Sequence, residues 1–82
     1  MIRRWQQLSA DQAHENAPMV REFAQDLADR TRAQQALGGI VIPELGDAAL
    51  ADQLAVTVYD ACRAGLAAQA LDGLIRLRHA LP

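Results

Sequence analysis

The chain has 82 residues, a formal net charge of −2, eight arginines, no lysine and one cysteine. That length makes one small domain. The lone Cys62 excludes an internal disulfide, the lack of an apolar run of about 18 residues excludes a membrane-spanning helix, and arginines interspersed with acids leave no extended basic face for nucleic acid.

The hydrophobic fraction of 51% overstates the core, because 17 of those residues are alanine. A buried Leu or Phe contributes roughly 1.5–3 kcal/mol, and alanine far less. A small domain with a thin core draws on disulfides, metals or partner chains. No pair of His or Cys residues has metal-ligand spacing, so self-association is the expected compensation, with no cofactor and no metal. The lysine-free, Ala- and Arg-rich usage matches the coding bias of a GC-rich bacterium. Residues 1–5 are basic, but no apolar h-region follows them, so no secretory signal is expected. A cytoplasmic location is the default expectation.

Residues 1–16 read as a broken helix, or a short helix and a turn. Ile2, Trp5 and Leu8 are spaced for one helical face. Ser9 followed by Gln12 fits a capping box and predicts a helix restart at Ser9. Pro18 stands at a good first-turn position, with Asn16 or Ala17 as cap, and a second helix is predicted over residues 18–37. Val20, Phe23, Ala24, Leu27 and Ala28 form its apolar stripe, which fades at Thr31, Gln34 and Gln35. Asp26 and Arg30 make a favourable pair four apart, whereas Glu22 and Asp26 repel. Gly38 suits the C′ position that ends the helix.

Residues 38–47 interrupt the helical pattern with glycines and a proline. The segment also carries Ile40, Val41, Ile42 and Leu45, too apolar for an ordinary polar loop. Ile40 or Ile42 is expected to be buried, beneath the second helix of its own chain or in a partner's groove. Pairing of two Gly39–Ile42 segments as short antiparallel strands across a dimer axis is the second variant.

Asp47 is a good N-cap for a third helix running to about Ala64, with Gly65 as its stop. Leu50, Leu54, Val58 and Ala61 form its stripe, with Thr57 beside them. A fourth helix is predicted over residues 67–81, with Leu71, Leu74, Ile75, Arg78 and Leu81 on one side and Leu77 widening it. Gly73 within it costs up to about 1 kcal/mol relative to Ala, or permits a close helix crossing. The short link at Gly65 predicts a tight αα-hairpin.

Residues 50–64 contain Leu50-Ala51, Leu54-Ala55-Val56-Thr57 and Arg63. This resembles the helix-turn-helix of bacterial repressors, which often reads L-A-x-x-L-G-V-S-x-x-T-V-x-R. The resemblance implies a turn at Ala55, Val56 and Thr57 and a recognition helix from Val58. That helix would present Val58, Tyr59 and Asp60, with only Arg63 basic, where groove readers carry Arg, Lys, Asn or Gln. The same residues fit one uninterrupted helix. The segment from Glu44 to Leu50 resembles the acyl carrier motif that ends D-S-L, but Ala48 and Ala49 follow Asp47, so there is no serine to carry a prosthetic arm.

The remaining candidates are isolated. His14 and His79 read as polar surface residues, and Cys62 as a small core residue. Tyr59, Asp60 and Cys62 do not converge, since consecutive helix positions point about 100° apart. Arg3, Arg4 and Trp5 form a basic–aromatic cluster of the kind that binds a phosphate, a membrane surface or a partner. Its structural alternative is a solvated terminus with Trp5 packed on the body.

These readings converge on an all-α fold: one domain, a small bundle of a short N-terminal helix and three main helices with an extended apolar connection. The expected function is that of a non-enzymatic regulatory, adaptor or accessory protein. It acts through a homo-oligomeric helical surface that includes Ile40, Val41, Ile42, Leu45 and Trp5. A DNA-binding regulator through residues 50–64 is the second reading. A small all-α dimeric enzyme using arginines on an anionic substrate is the third.

Overall fold

A computed structural model describes every residue except Met1, Ala36, Leu37, Gly39 and Ile40, and leaves out the side chain of Ile2. The expectations for the Ile2 side chain, Leu37, Gly39 and Ile40 therefore lie outside the described residues. The fold is all-α: α1 (Ile2–Gln6), α2 (Ala10–Gln34), a 3-10 turn (Asp47–Ala49), α3 (Leu50–Arg63) and α4 (Ala67–Ala80), with no strand among the described residues.

The capping box forms where the sequence places it. The Ser9 hydroxyl accepts the Gln12 N–H at 3.2 Å, and the Gln12 side chain accepts the Ser9 N–H at 3.1 Å. The helix that starts there does not stop at Pro18. It continues through it, so Pro18 is an interior residue of α2 and not a first-turn residue. Pro18 has no N–H to give the His14 carbonyl, a loss that usually breaks a helix. Packing on both sides offsets it: Ala17 is fully buried and Val20 nearly so, in one core cluster. Asn16 is not the cap; its amide donates back to the Gln12 carbonyl at 2.7 Å.

The α2 stripe buries Val20, Ala24 and Leu27, with Phe23 and Ala28 half-buried. It extends one turn further than the apolar pattern, to buried Thr31, because the hydroxyl donates to the Leu27 carbonyl at 2.8 Å and leaves no polar atom unsatisfied. α2 ends at Gln34, ahead of Gly38. Gly38 is therefore not the C′ residue, and its carbonyl accepts a bond from the Arg32 guanidinium.

α3 buries the expected Leu50, Leu54, Thr57 and Ala61, with Val58 half-buried. It runs through positions 55–57 without a turn, so residues 50–64 do not form a helix-turn-helix. Its end is a Schellman motif. The Leu66 N–H donates to the Ala61 carbonyl at 2.9 Å and the Gly65 N–H to the Cys62 carbonyl at 3.2 Å. Gly65 takes φ +87°, a left-handed conformation that a side chain disfavours.

α4 departs from the predicted face. It buries Ala70, Gly73 and Leu77, followed by Leu81 at its C-cap, while Leu71 and Ile75 are exposed. The cause is Gly73. A Cβ there would overlap Cε2 of Phe23, so the bare backbone admits the ring and draws the small-residue side of α4 onto α2.

The core has two connected parts. One joins Trp5, Ala17, Val20, Leu50, Leu54 and Leu77; the other joins Leu27, Ala61 and Ala70. Half-buried Phe23 and Val58 touch both. Trp5 belongs to this core, at 6% exposure, and is thus not part of an exposed interaction surface. Its indole is the largest apolar group available to close α1 over α3. α2 spans about 37 Å at about 1.5 Å per residue, matching the 38 Å long dimension of the molecule.

Candidate functional site

The connection between α2 and α3 is tied down by polar side chains from both helices. The Ile42 N–H donates to the Gln25 side-chain oxygen at 2.9 Å, and the Gln53 amide donates to the Pro43 carbonyl at 2.6 Å. Backbone groups without a helix or sheet partner need such answers. Arg21 donates to one carboxylate oxygen of Asp47 at 2.6 Å, and His14 Nδ1 meets the other at 2.9 Å. Glu44 lies 3.8 Å from the same guanidinium. The His14 and Arg21 hydrogen bonds, in that order, hold the Asp47 carboxyl below the usual carboxylate range, partly opposed by desolvation. Asp47 is therefore not the N-cap of α3, because its carboxylate is turned towards α2. Helix entry is made instead by the 3-10 turn, with Gly46 before it.

So anchored, the connection places Ile42 and Pro43 at one end of a groove between α2 and α3, with a volume of about 680 Å³. Ala28, Thr31 and Thr57 contribute to its apolar interior, and Arg32 and Gln35 extend along the α2 margin. The α3 wall carries Val56 and Tyr59, which are 61% and 60% exposed, together with Asp52, Asp60 and Arg63. Arg63 leans over the Tyr59 ring, with its guanidinium carbon 5.9 Å from the ring centroid.

The residues expected to form an interaction surface divide here. Ile42 is half-buried against the core, so the connection does pack on its own chain. Val41 and Leu45 are 85% and 67% exposed. Trp5 is in the core and Ile40 lies outside the described residues. Val56 and Tyr59 lie outside the surface expected from the sequence, although the pattern marks them, as apolar side chains on the side of α3 opposite Leu50, Leu54 and Ala61. Gln25 and Gln53 carried no comparable signal, because nothing in a helical pattern marks a glutamine that will reach a distant backbone.

A second groove, between α2 and α4, is lined by Glu22, Asp26 and Asp29 beside Arg30 and Arg76. Arg30 pairs with Asp26 at 3.1 Å and Arg76 with Asp72 at 2.9 Å. Each groove thus carries two arginines faced by at least as many acids. Cys62, expected in the core, is exposed, because the adjacent Ala61 takes the inward position. Among the described residues there is no cluster of three His, Cys, Asp or Glu that could hold a metal, and no helix long and apolar enough to cross a membrane.

No protein-family model, no curated protein and no solved structure matches the chain.

Proposed function

We propose that this protein is a non-enzymatic interaction module: a small bacterial, cytoplasmic regulatory, adaptor or accessory protein that works through a self-associating helical surface. One observation carries the reading. The groove between α2 and α3 exposes Val56 and Tyr59 beside Ile42 and Pro43, while among the described residues the buried apolar core is Trp5, Val20, five leucines and four alanines. Apolar groups left in water beside so small a core are the mark of a surface that a partner covers. Asp52 and Asp60 on the outer side of α3 favour a protein partner over DNA, whose phosphates they would repel.

Light scattering from low to high micromolar concentration tests the reading. A mass that rises to an integral multiple of the 8.9 kDa chain is the expected result. A monomer throughout that range overturns self-association. Mixed-sequence duplex DNA at low salt should give no retardation.

A further inference from the structure

We infer that the partner for the groove is a second copy of this chain, docked with α3 antiparallel to α3 across a two-fold axis; this rests on the self-association reading above. Asp52, Val56, Tyr59 and Arg63 follow steps of four, three and four, so they share one side of α3 in the spacing of a helix–helix seam. That side lies opposite the buried Leu50, Leu54 and Ala61. Its order is acid, apolar, apolar, base. The midpoint between Val56 and Tyr59 is also the midpoint between Asp52 and Arg63.

An isologous interface requires that residue i meet j while j meets i. A two-fold axis through that midpoint does this twice over. Val56 of each copy meets Tyr59 of the other at the centre, and Asp52 of each meets Arg63 of the other at the ends, about 16 Å apart along the helix. A parallel arrangement would set like charges against each other. Among the described residues neither Asp52 nor Arg63 has an ion-pair partner within the chain, so both charges are available to a partner. Arg63 is already held over Tyr59, with Nη1 3.5 Å from the hydroxyl, which places its charge on the seam before a partner arrives. A standard interface takes on the order of 800 Å² from each partner. The helix side alone is narrower than that, and the adjoining Ile42, Pro43 and Arg32 widen it.

The test is a pair of charge reversals, Asp52→Arg and Arg63→Asp. Each alone sets two like-charge contacts in the dimer and should weaken self-association about tenfold or more. Mixed with each other, the two variants should form a heterodimer, because one then presents two bases and the other two acids along the seam. Both positions are exposed, and circular dichroism of each variant checks that the helices persist. Val56→Asp should abolish association, whereas Leu71→Gln with Ile75→Gln should not. A wild-type chain that dimerises while the single reversals dimerise equally well, or variants that dissociate but do not pair when mixed, overturns this geometry and leaves self-association standing. A wild-type monomer overturns both.

Discussion

Asp47 shows how one side chain can be diverted from a local role to a distant one. Its carboxylate takes bonds from His14 and Arg21, two groups on α2, so it fastens the end of the connection to the N-terminal half of α2. Because its pKa is lowered in the fold, the stability it contributes is complete above the unfolded carboxylate range and is lost as pH falls through the folded value. Urea midpoints of wild type and Asp47→Asn should therefore differ at pH 7, and the difference should shrink as pH falls below the unfolded carboxylate value of about 4. A difference that persists unchanged at pH 3 would show that the charge is not what the fold uses. Gly73 is the second position where one residue controls its surroundings. Alanine there gains up to about 1 kcal/mol of helix propensity, but its methyl meets the Phe23 ring, and overpacking costs about 1–3 kcal/mol. Gly73→Ala should destabilise the wild type by about 1–2 kcal/mol and become neutral or stabilising in a Phe23→Leu background; thermal unfolding of the four chains reads this directly.

At the level of elements, α2 carries a cost that its packing overrides. Pro18 is exposed inside the helix. Pro18→Ala restores an N–H for the His14 carbonyl and should raise stability by about 1–2 kcal/mol. That is less than the full helix-propensity difference, because the unfolded chain regains freedom. A destabilised variant would mean that proline is required in α2. α4 offers the complementary case. Leu77→Ala should cost about 2–5 kcal/mol, whereas Leu71→Ala should change stability by less than about 0.5 kcal/mol. Denaturant midpoints would separate these by a wide margin, and equal effects would refute the face that α4 buries. The α4 face was only half legible in the sequence. Leu71, Leu74 and Ile75 are the larger residues, and a hydrophobic count selects them. Ala70 and Gly73 win because a helix crossing rewards close approach, and the ring that exploits it lies far away on α2. The interior proline was illegible for a similar reason, since propensity is local and the packing that overrides it is not.

For the whole molecule, the thin core sets the margin. A domain of this length is stable by only about 4–12 kcal/mol, while Trp→Ala in a core costs about 3–5 kcal/mol. Trp5→Ala should therefore shift the unfolding transition, followed by circular dichroism, to much lower denaturant, with Trp5→Phe intermediate. A variant as stable as the wild type would return Trp5 to the surface role that the sequence allowed. The same thinness explains why polar side chains hold the connection. Ile42 packs on the core while Val41 and Leu45 stay exposed, so Gln25, Gln53 and Arg21 secure what burial of Ile42 begins.

The sequence by itself determined the all-α class, the capping box at Ser9, the buried stripes of α2 and α3, and the stop of α3 at Gly65. Each is written in residues within a turn or two of one another, where periodicity, capping and glycine conformation act. Only the tertiary structure decided that α2 passes through Pro18, that Trp5 is interior, that α4 turns its small side inward and that Asp47 serves α2 rather than α3. Those outcomes depend on groups brought together from distant parts of the chain, and no local pattern records the neighbour that a residue will meet.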